Sequence, residues 1–322
     1  MDLSETEIKS KVLKGLFWKI LENGGAQGIQ FVIAIILARL LSPAEYGLVS
    51  IIMIFITIAN VVVQNGFSTA LVQKKHSDDT DFSSVFYFSL AIAAVMYAAL
   101  YASAPSIAGF YHNDVLVPIV RVLAVVLFPG AVISVQTAYV SRKMEFKGLF
   151  KATMVAVVIS GAASILMALR GMGVWAMVGQ QIAYYLALMT TLFMTVSWKP
   201  RLVFAMGRIS AMFSFGWKLL LAALLDTLFN NLYGLIMGKI YNEELLGAYN
   251  RGDQFPKLIV NNLGAAIQAV LLPAFSSRQG DVAQVRSMVR RAIRTSSFLV
   301  LPMLLGLFAV ADTMVLALLG KK

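Results

Sequence analysis

Amides and a few charges, set at helical spacing inside long apolar stretches, are the residues of this chain best placed to do chemistry. Asn23, Gln27 and Gln30 fall at i, i+4 and i+7, on one helical face, and Thr57, Asn60 and Gln64 repeat that pattern. Asp226 and Asn230 stand one turn apart, and Asn261 and Gln268 stand two turns apart. Polar groups are costly against lipid, so such stripes turn toward a bundle interior or a wet cavity. There they would line a shared space, or act as hydrogen-bonding glue between helices. Three ionisable residues sharpen the picture. Asp226 sits near the middle of its stretch, where a carboxylate would be protonated or paired. Lys218 lies eight residues away, within snorkelling reach of headgroups, and Arg121 lies about six residues into its own stretch. Cations in such a cavity suit an anionic ligand, because a phosphate leaving water needs replacement hydrogen bonds.

The elements that must position these groups are nine apolar stretches, at about 16–38, 47–72, 85–104, 115–140, 149–169, 173–196, 211–238, 258–275 and 296–319. A hydrocarbon core of about 30 Å takes about 20 helical residues. Most of the stretches reach that length, and 258–275 is marginal. Charged residues make up 13% of the chain and hydrophobic ones 59%, with a mean hydropathy of +0.78. The reading is an all-α, polytopic transmembrane bundle. A net charge of +11 would suggest nucleic acid in a soluble protein, but here the charges follow the loops. Eighteen of the 27 Lys and Arg residues fall in alternate loops, from Lys9 through Lys74, Arg142 and Arg208 to Arg294, and seven fall in the others. The positive-inside rule places the N-terminus and the basic loops in the cytoplasm. Cysteine is absent, which removes disulfides, thiolate catalysis and cysteine metal sites. The acidic start and the length of the first stretch do not fit a cleaved signal peptide. Ser4 and Glu7 have capping-box spacing, for a surface helix running into the first span.

The chain also repeats itself with a period near 200. Trp18-Lys19 returns as Trp217-Lys218. The segment from Ala38 to Gly47 returns as Gly238 to Gly247, and Gln64 and Ala70 return as Gln268 and Ala274. Six spans separate the copies, so both run in the same direction, as in transporters whose site lies between two halves. The offset lays Gln27 on Asp226, Gln30 on Asn230, Thr57 on Asn261 and Gln64 on Gln268. The expected organisation is a six-helix lobe at 1–200 and the first three helices of a second lobe at 201–322. On this count the chain is read as a partial product of a longer protein. Between the last two stretches, Arg286, Arg290 and Arg294 lie opposite Val282, Val285, Val289 and Ala292. The pattern predicts a separate interfacial helix within 276–294.

Several segments resemble the polysaccharide transporter, or oligosaccharide flippase, family of the multidrug/oligosaccharidyl-lipid/polysaccharide exporter superfamily. They are Gly15 to Lys19, Ala38 to Gly47 with its Leu-Ser-Pro-x-Glu-Tyr-Gly turn, Gly66 to Gln73, Leu246 to Arg251 and Leu272 to Ser276. The resemblance implies twelve to fourteen helices in two six-helix lobes around a central cavity. It also implies movement of undecaprenyl-pyrophosphate-linked oligosaccharide across a bacterial inner membrane, beside a polysaccharide polymerase and other assembly proteins. Amides would then meet sugar hydroxyls, and Arg121 or Lys218 would meet pyrophosphate. Asp226 would carry a coupling H+ or Na+, or hold a cation in place. No cofactor is expected.

The rival within the superfamily is an exporter of organic cations, which wants acidic residues in the lumen; the three mid-span charges sum to +1. An inert fragment is another alternative. A membrane-embedded enzyme would need a larger outer loop than 239–257, and the histidines His76 and His112 fall on opposite sides. A cysteine placed at Ser287 in this cysteine-free chain is expected to resist a membrane-impermeant thiol reagent in intact cells and to react in permeabilised ones.

Overall fold

The computed structural model describes residues 5–74, 77–257, 260 and 282–319, and its regular elements there are all helical. In order they are α1 (Glu5–Leu40), α2 (Pro43–Gln73), α3 (Asp79–Tyr111), α4 (Leu116–Leu123), α5 (Leu127–Lys143), α6 (Phe146–Leu169), α7 (Val174–Thr195), α8 (Met206–Ile240) and α9 (Val282–Leu319). Residues 243–257 are helical as well. Helix is the expected answer for apolar chain in hydrocarbon, because it satisfies each backbone group within its own segment.

Among the described residues, seven helical segments are long and apolar enough to cross a membrane, one of them Leu116–Lys143, which joins α4 and α5. The expected stretch at 173–196 is the helix α7, but Gln180, Gln181, Tyr184 and Tyr185 lower its hydropathy and it is not among the seven. The expected stretch at 258–275 lies outside the described residues, apart from Val260, as does the Ser4 of the N-terminal box. The basic segment at 276–294 is not a separate interfacial helix where it is described: from Val282 it runs unbroken into the last span as α9. Nothing between Arg294 and Phe298 breaks helical geometry, and Pro302 sits inside the helix.

Two compact units are present, Met1–Leu246 and Gly247–Lys322. Within the second, residues 247–257 and α9 are helical. Within the first, α6 packs on α7 and α1, while α2 packs on α8, α5 and α3. α8 therefore joins the first unit although the repeat begins before it. Small residues permit close approach, the usual device where lipid gives helices no hydrophobic reason to associate. Gly161 faces Ile33 and Gly234 faces Ile54.

Chain direction sorts the turns to two ends of the first unit. One end holds the turns after Leu40, Tyr111, Leu169 and Ile240, and the other holds those after Gln73, Lys143 and Thr195. The repeat survives in local structure. α1 stops at Leu40 and α8 at Ile240, 200 residues apart. Ser42 Oγ then accepts the Glu45 N–H at 3.3 Å, with Glu45 returning the bond to the Ser42 N–H at 2.7 Å, a full capping box. Asn242 Oδ1 accepts the Leu245 N–H at 2.8 Å, the same N-cap bond one period later. The two helix starts meet. A Cβ on Gly47 would run into the main chain of Glu243. Gly47→Ala is expected to cost about 1–3 kcal/mol by overpacking, read as a lower unfolding temperature in detergent, whereas Ala44→Ser, at an exposed neighbour, leaves it unchanged.

Candidate functional site

The middle of the first unit gathers part of the amide pattern into a cluster. Asn60 and Gln64 are one turn apart on α2, and Gln64 Nε2 donates to Asn60 Oδ1 at 2.8 Å. Asn60 Nδ2 donates onward to the Tyr185 hydroxyl of α7 at 3.4 Å. A Cβ on Gly130 would come to 2.9 Å from Gln64 Nε2, 3.0 Å from Asn60 Oδ1 and 3.6 Å from the Tyr185 ring. That close approach follows from how the fourth span is built. α4 gives way to a 3-10 turn at Ala124–Val126 before α5 begins. Pro129 has no N–H for the carbonyl four residues earlier. A local rewinding there relieves the ladder and brings Gly130 to the amides. All of Asn60, Gln64 and Tyr185 are half-buried, so the cluster is neither sealed in a core nor facing lipid. A further hydroxyl pair, Ser68 and Ser134, bonds at 3.1 Å between the same two spans.

The other expected residues are placed differently. Gln27 and Gln30 are exposed on α1, whose other side packs on α6 through Ala26, Ile33 and Leu37. Lys218, Asp226 and Asn230 are exposed on α8. Arg121 does not join the amides. Its guanidinium lies 4.2 Å from the ring centroid of Tyr101 on α3, a cation–π contact toward the Tyr111 end of the bundle. Asn261 and Gln268 lie outside the described residues. Of the expected residues that are described, Asn60 and Gln64 are brought into one hydrogen-bonded cluster.

Helix rise locates these groups along the membrane normal. From Arg208 to Lys239, α8 climbs about 46 Å at ~1.5 Å per residue, against a hydrocarbon core of about 30 Å. Both ends therefore clear the core, Asp226 sits deep within it, and Lys218 sits shallow enough to snorkel.

One buried carboxylate of a span was not singled out by the sequence pattern. Glu22 on α1 is buried, pairs with Lys19 at 2.8 Å and accepts a hydrogen bond from Thr153 of α6 at 3.1 Å. Its neighbour Lys19, three residues away, made it look like part of a polar flank. Gly130 and Tyr185 were missed too, because their role comes only from contacts across sequence. Asp312, within α9, is exposed and was likewise passed over.

Charges concentrate at the end opposite Tyr111. Asp81, 1% exposed, takes Lys74 at 2.7 Å and Arg208 at 3.0 Å, and Arg208 also grips Asp78 at 2.7 Å. The Ser83 and Ser84 hydroxyls accept the N–H groups of Arg201 and Ala205, each at 3.0 Å, so the link into α8 is tied to the first turn of α3. Arg142 donates to the carbonyls of Leu71 at 3.1 Å, Val72 at 3.3 Å and Lys74, closing the carbonyl end of α2. At the Tyr111 end, Lys239 donates to the Phe110 carbonyl and Asn113 Nδ2 donates to Glu243 at 3.0 Å. α8 is thus held to α3 at both of its ends.

The Arg208 guanidinium, and then the Asp81 backbone N–H, hold the Asp78 carboxyl below the usual carboxylate range. A depressed folded value means that this contribution to stability is complete above about pH 4 and is lost as pH falls through the depressed value. Asp78→Asn retains an N-cap oxygen. It is expected to unfold below the parent near neutral pH, with the gap narrowing as the pH falls below about 4, as read by thermal scans across that range.

Known proteins extend this geometry. The chain is 24% identical to the succinoglycan biosynthesis transport protein ExoT of Rhizobium meliloti (strain 1021), over 97% of its own length and 63% of the relative's. It is 26% identical to the teichuronic acid biosynthesis protein TuaB of Bacillus subtilis (strain 168), covering 98% and 66%. It is 22% identical to the lipopolysaccharide biosynthesis protein WzxC of Escherichia coli (strain K12), covering 98% and 64%. The chain thus spans about two thirds of the length of these relatives. A solved multidrug resistance transporter of the MATE family, in the MOP superfamily and in an inward-facing conformation, shares the fold with a TM-score of 0.64. That likeness covers 90% of this chain and 71% of the transporter's at 16% identity. The polysaccharide biosynthesis protein family matches residues 36–322. Carrying that match across nearly its whole length, on a bundle of membrane-spanning helices, the chain belongs to the polysaccharide biosynthesis protein family.

Proposed function

We propose that this protein exports a lipid-linked oligosaccharide for surface polysaccharide assembly, passing it across a bacterial inner membrane by alternating access between two lobes. The observation that carries the reading is the half-buried wall of Asn60, Gln64 and Tyr185 against Gly130. Uncharged donors and acceptors at membrane depth suit sugar hydroxyls, which need partners when they leave water. The exposed amides Gln27 and Gln30 on α1 and Asn230 on α8 would extend that surface as the glycan moves. Relatives named for succinoglycan, teichuronic acid and lipopolysaccharide share a glycan class rather than one sugar, which favours contacts to hydroxyls in general.

The lobes are residues 1–200 and the helices from 201 onward, with the N-terminus in the cytoplasm. α8 meets α3 through one set of contacts near Lys239 and another near Arg208. Rocking of α8 against the first lobe would open one set while the other holds, as alternating access requires. Lys218 and Arg121 supply cations for the pyrophosphate. Asp226 is the carboxylate for a coupling H+ or Na+, and Glu22 is a second, held by Lys19 and Thr153. The lipid tail stays in the bilayer, and the exported unit passes to a polysaccharide polymerase and other assembly proteins.

The test is a strain lacking the gene, scored for surface polysaccharide and for precursor held in the inner leaflet. Deletion is expected to lower the first and raise the second. Asp226→Ala at parental protein levels is expected to leave the strain unable to recover, and Asn60→Ala to restore part of the glycan. Full surface glycan with Asp226→Ala would reject coupling through that residue. Unchanged glycan after deletion, with new sensitivity to cationic dyes, would move the protein to drug export.

A further inference from the structure

Where α3 and α8 end side by side, α2, α3 and α8 enclose a cleft of about 560 Å³. Phe55, Ile107, Leu235, Ile236 and Ile240 make its walls apolar. Three polar residues, Ser106, Tyr111 and Lys239, interrupt them. Lys239 gives one of its three N–H donors to the Phe110 carbonyl, and its ammonium lies 4.3 Å from the Phe110 ring centroid. Its side chain is exposed, so two donors remain for something else. Tyr111, 8% exposed, also lines the cleft, and its hydroxyl is buried with no hydrogen-bond partner. A buried hydroxyl left unmatched is costly, and such groups mark places where a partner is wanted.

The position narrows the ligand. The candidate spans Asp79–Tyr111 and Gly216–Ile240 both stop at this cleft, so it opens at the boundary between hydrocarbon and headgroups. From Phe110 to Ser106, and from Ile240 to Ile236, is one helical turn, about 5–6 Å of depth. An exposed ammonium, a buried hydroxyl without a partner and apolar walls in one lining match a molecule carrying a phosphate, an ester and an alkyl chain. A free phosphate would leave the apolar walls unused. A zwitterionic headgroup would bring its own cation against Lys239.

We propose that this cleft binds an anionic glycerophospholipid of the surrounding bilayer. Its phosphate sits at Lys239, an ester carbonyl accepts from the Tyr111 hydroxyl, and the first methylenes of one acyl chain lie along Ile107 and Ile236. Lipid bound there would brace the contact between α3 and α8. The proposal needs no export and is tested without it.

The purified chain is placed in phosphatidylcholine nanodiscs with a trace of phosphatidylglycerol carrying a photoactivatable group near its ester, and the labelled peptides are mapped by mass spectrometry. Labelling is expected to concentrate on residues 106–111 and 235–240. Phosphatidylglycerol should compete about fivefold better than phosphatidylcholine, the contribution of one lysine at an anionic surface. Lys239→Gln is expected to abolish that preference while labelling persists, and Ile236→Trp, which fills the cleft, to abolish both. Leu225→Trp, exposed elsewhere on α8, should change neither. Thermal unfolding matched to the parent keeps the variants comparable. Labelling spread evenly along α8 would overturn the proposal. So would an unchanged preference in Lys239→Gln, or a cleft labelled only by a photoactivatable polyprenyl pyrophosphate that phosphatidylglycerol cannot displace.

Discussion

In hydrocarbon there is no water to take up an unpaired amide, so each polar group that enters the membrane must bring or find its partner within the protein. The backbone meets that demand by winding into helices. The side chains meet it by pairing along a helix and then across to a neighbour, as Gln64 does through Asn60 to Tyr185. Glu22 meets it with Lys19 on its own helix and Thr153 on the next. Where pairing is complete, the groups serve structure. Around Gly130 the donors and acceptors remain half-buried. That single constraint shapes both the fold and the site.

It also explains what could be read from the sequence. Alternation of apolar stretch and basic loop reports the solvent directly, so the bundle and its up-and-down course were legible. So was the pairing of Asn60 with Gln64, because residues four apart always share a helix face. The turn at Ser42-Pro43-Ala44-Glu45 writes its capping box in order, and its echo at Asn242 could be found from the repeat. Gly130 and Tyr185 could not be found that way. Gly130 matters because Pro129 and the rewound turn before it bring α5 to α2, and Tyr185 because α7 brings its hydroxyl to Asn60, both facts of tertiary packing. A cation inside a span suggests a cavity; the Arg121 guanidinium lies over the Tyr101 ring of α3, and its Nε is buried without a hydrogen-bond partner. The basic segment that opens α9 misled for a simpler reason. Amphipathic periodicity marks a helical face but not where the helix stops.

The two ends of α8 carry the remaining step. Helices of this length overshoot the hydrocarbon, which leaves Arg208 and Lys239 in the zone where charges keep part of their hydration. Contacts there are weak enough to exchange. An exposed Asp78–Arg208 pair is worth little singly, and Lys239 has only a carbonyl and a ring for partners. The buried Asp81 is different, since it needs its cations and would be costly to strand. Lys74 can supply that need from α2 if Arg208 leaves with α8, because both cations already share the carboxylate. The Asp81 cluster can therefore release α8 without leaving an unpaired buried charge. At the Tyr111 end the Gly47–Glu243 main-chain approach is close. The Arg208 end thus rests on ion pairs with a shared carboxylate, and the Tyr111 end on close main-chain packing.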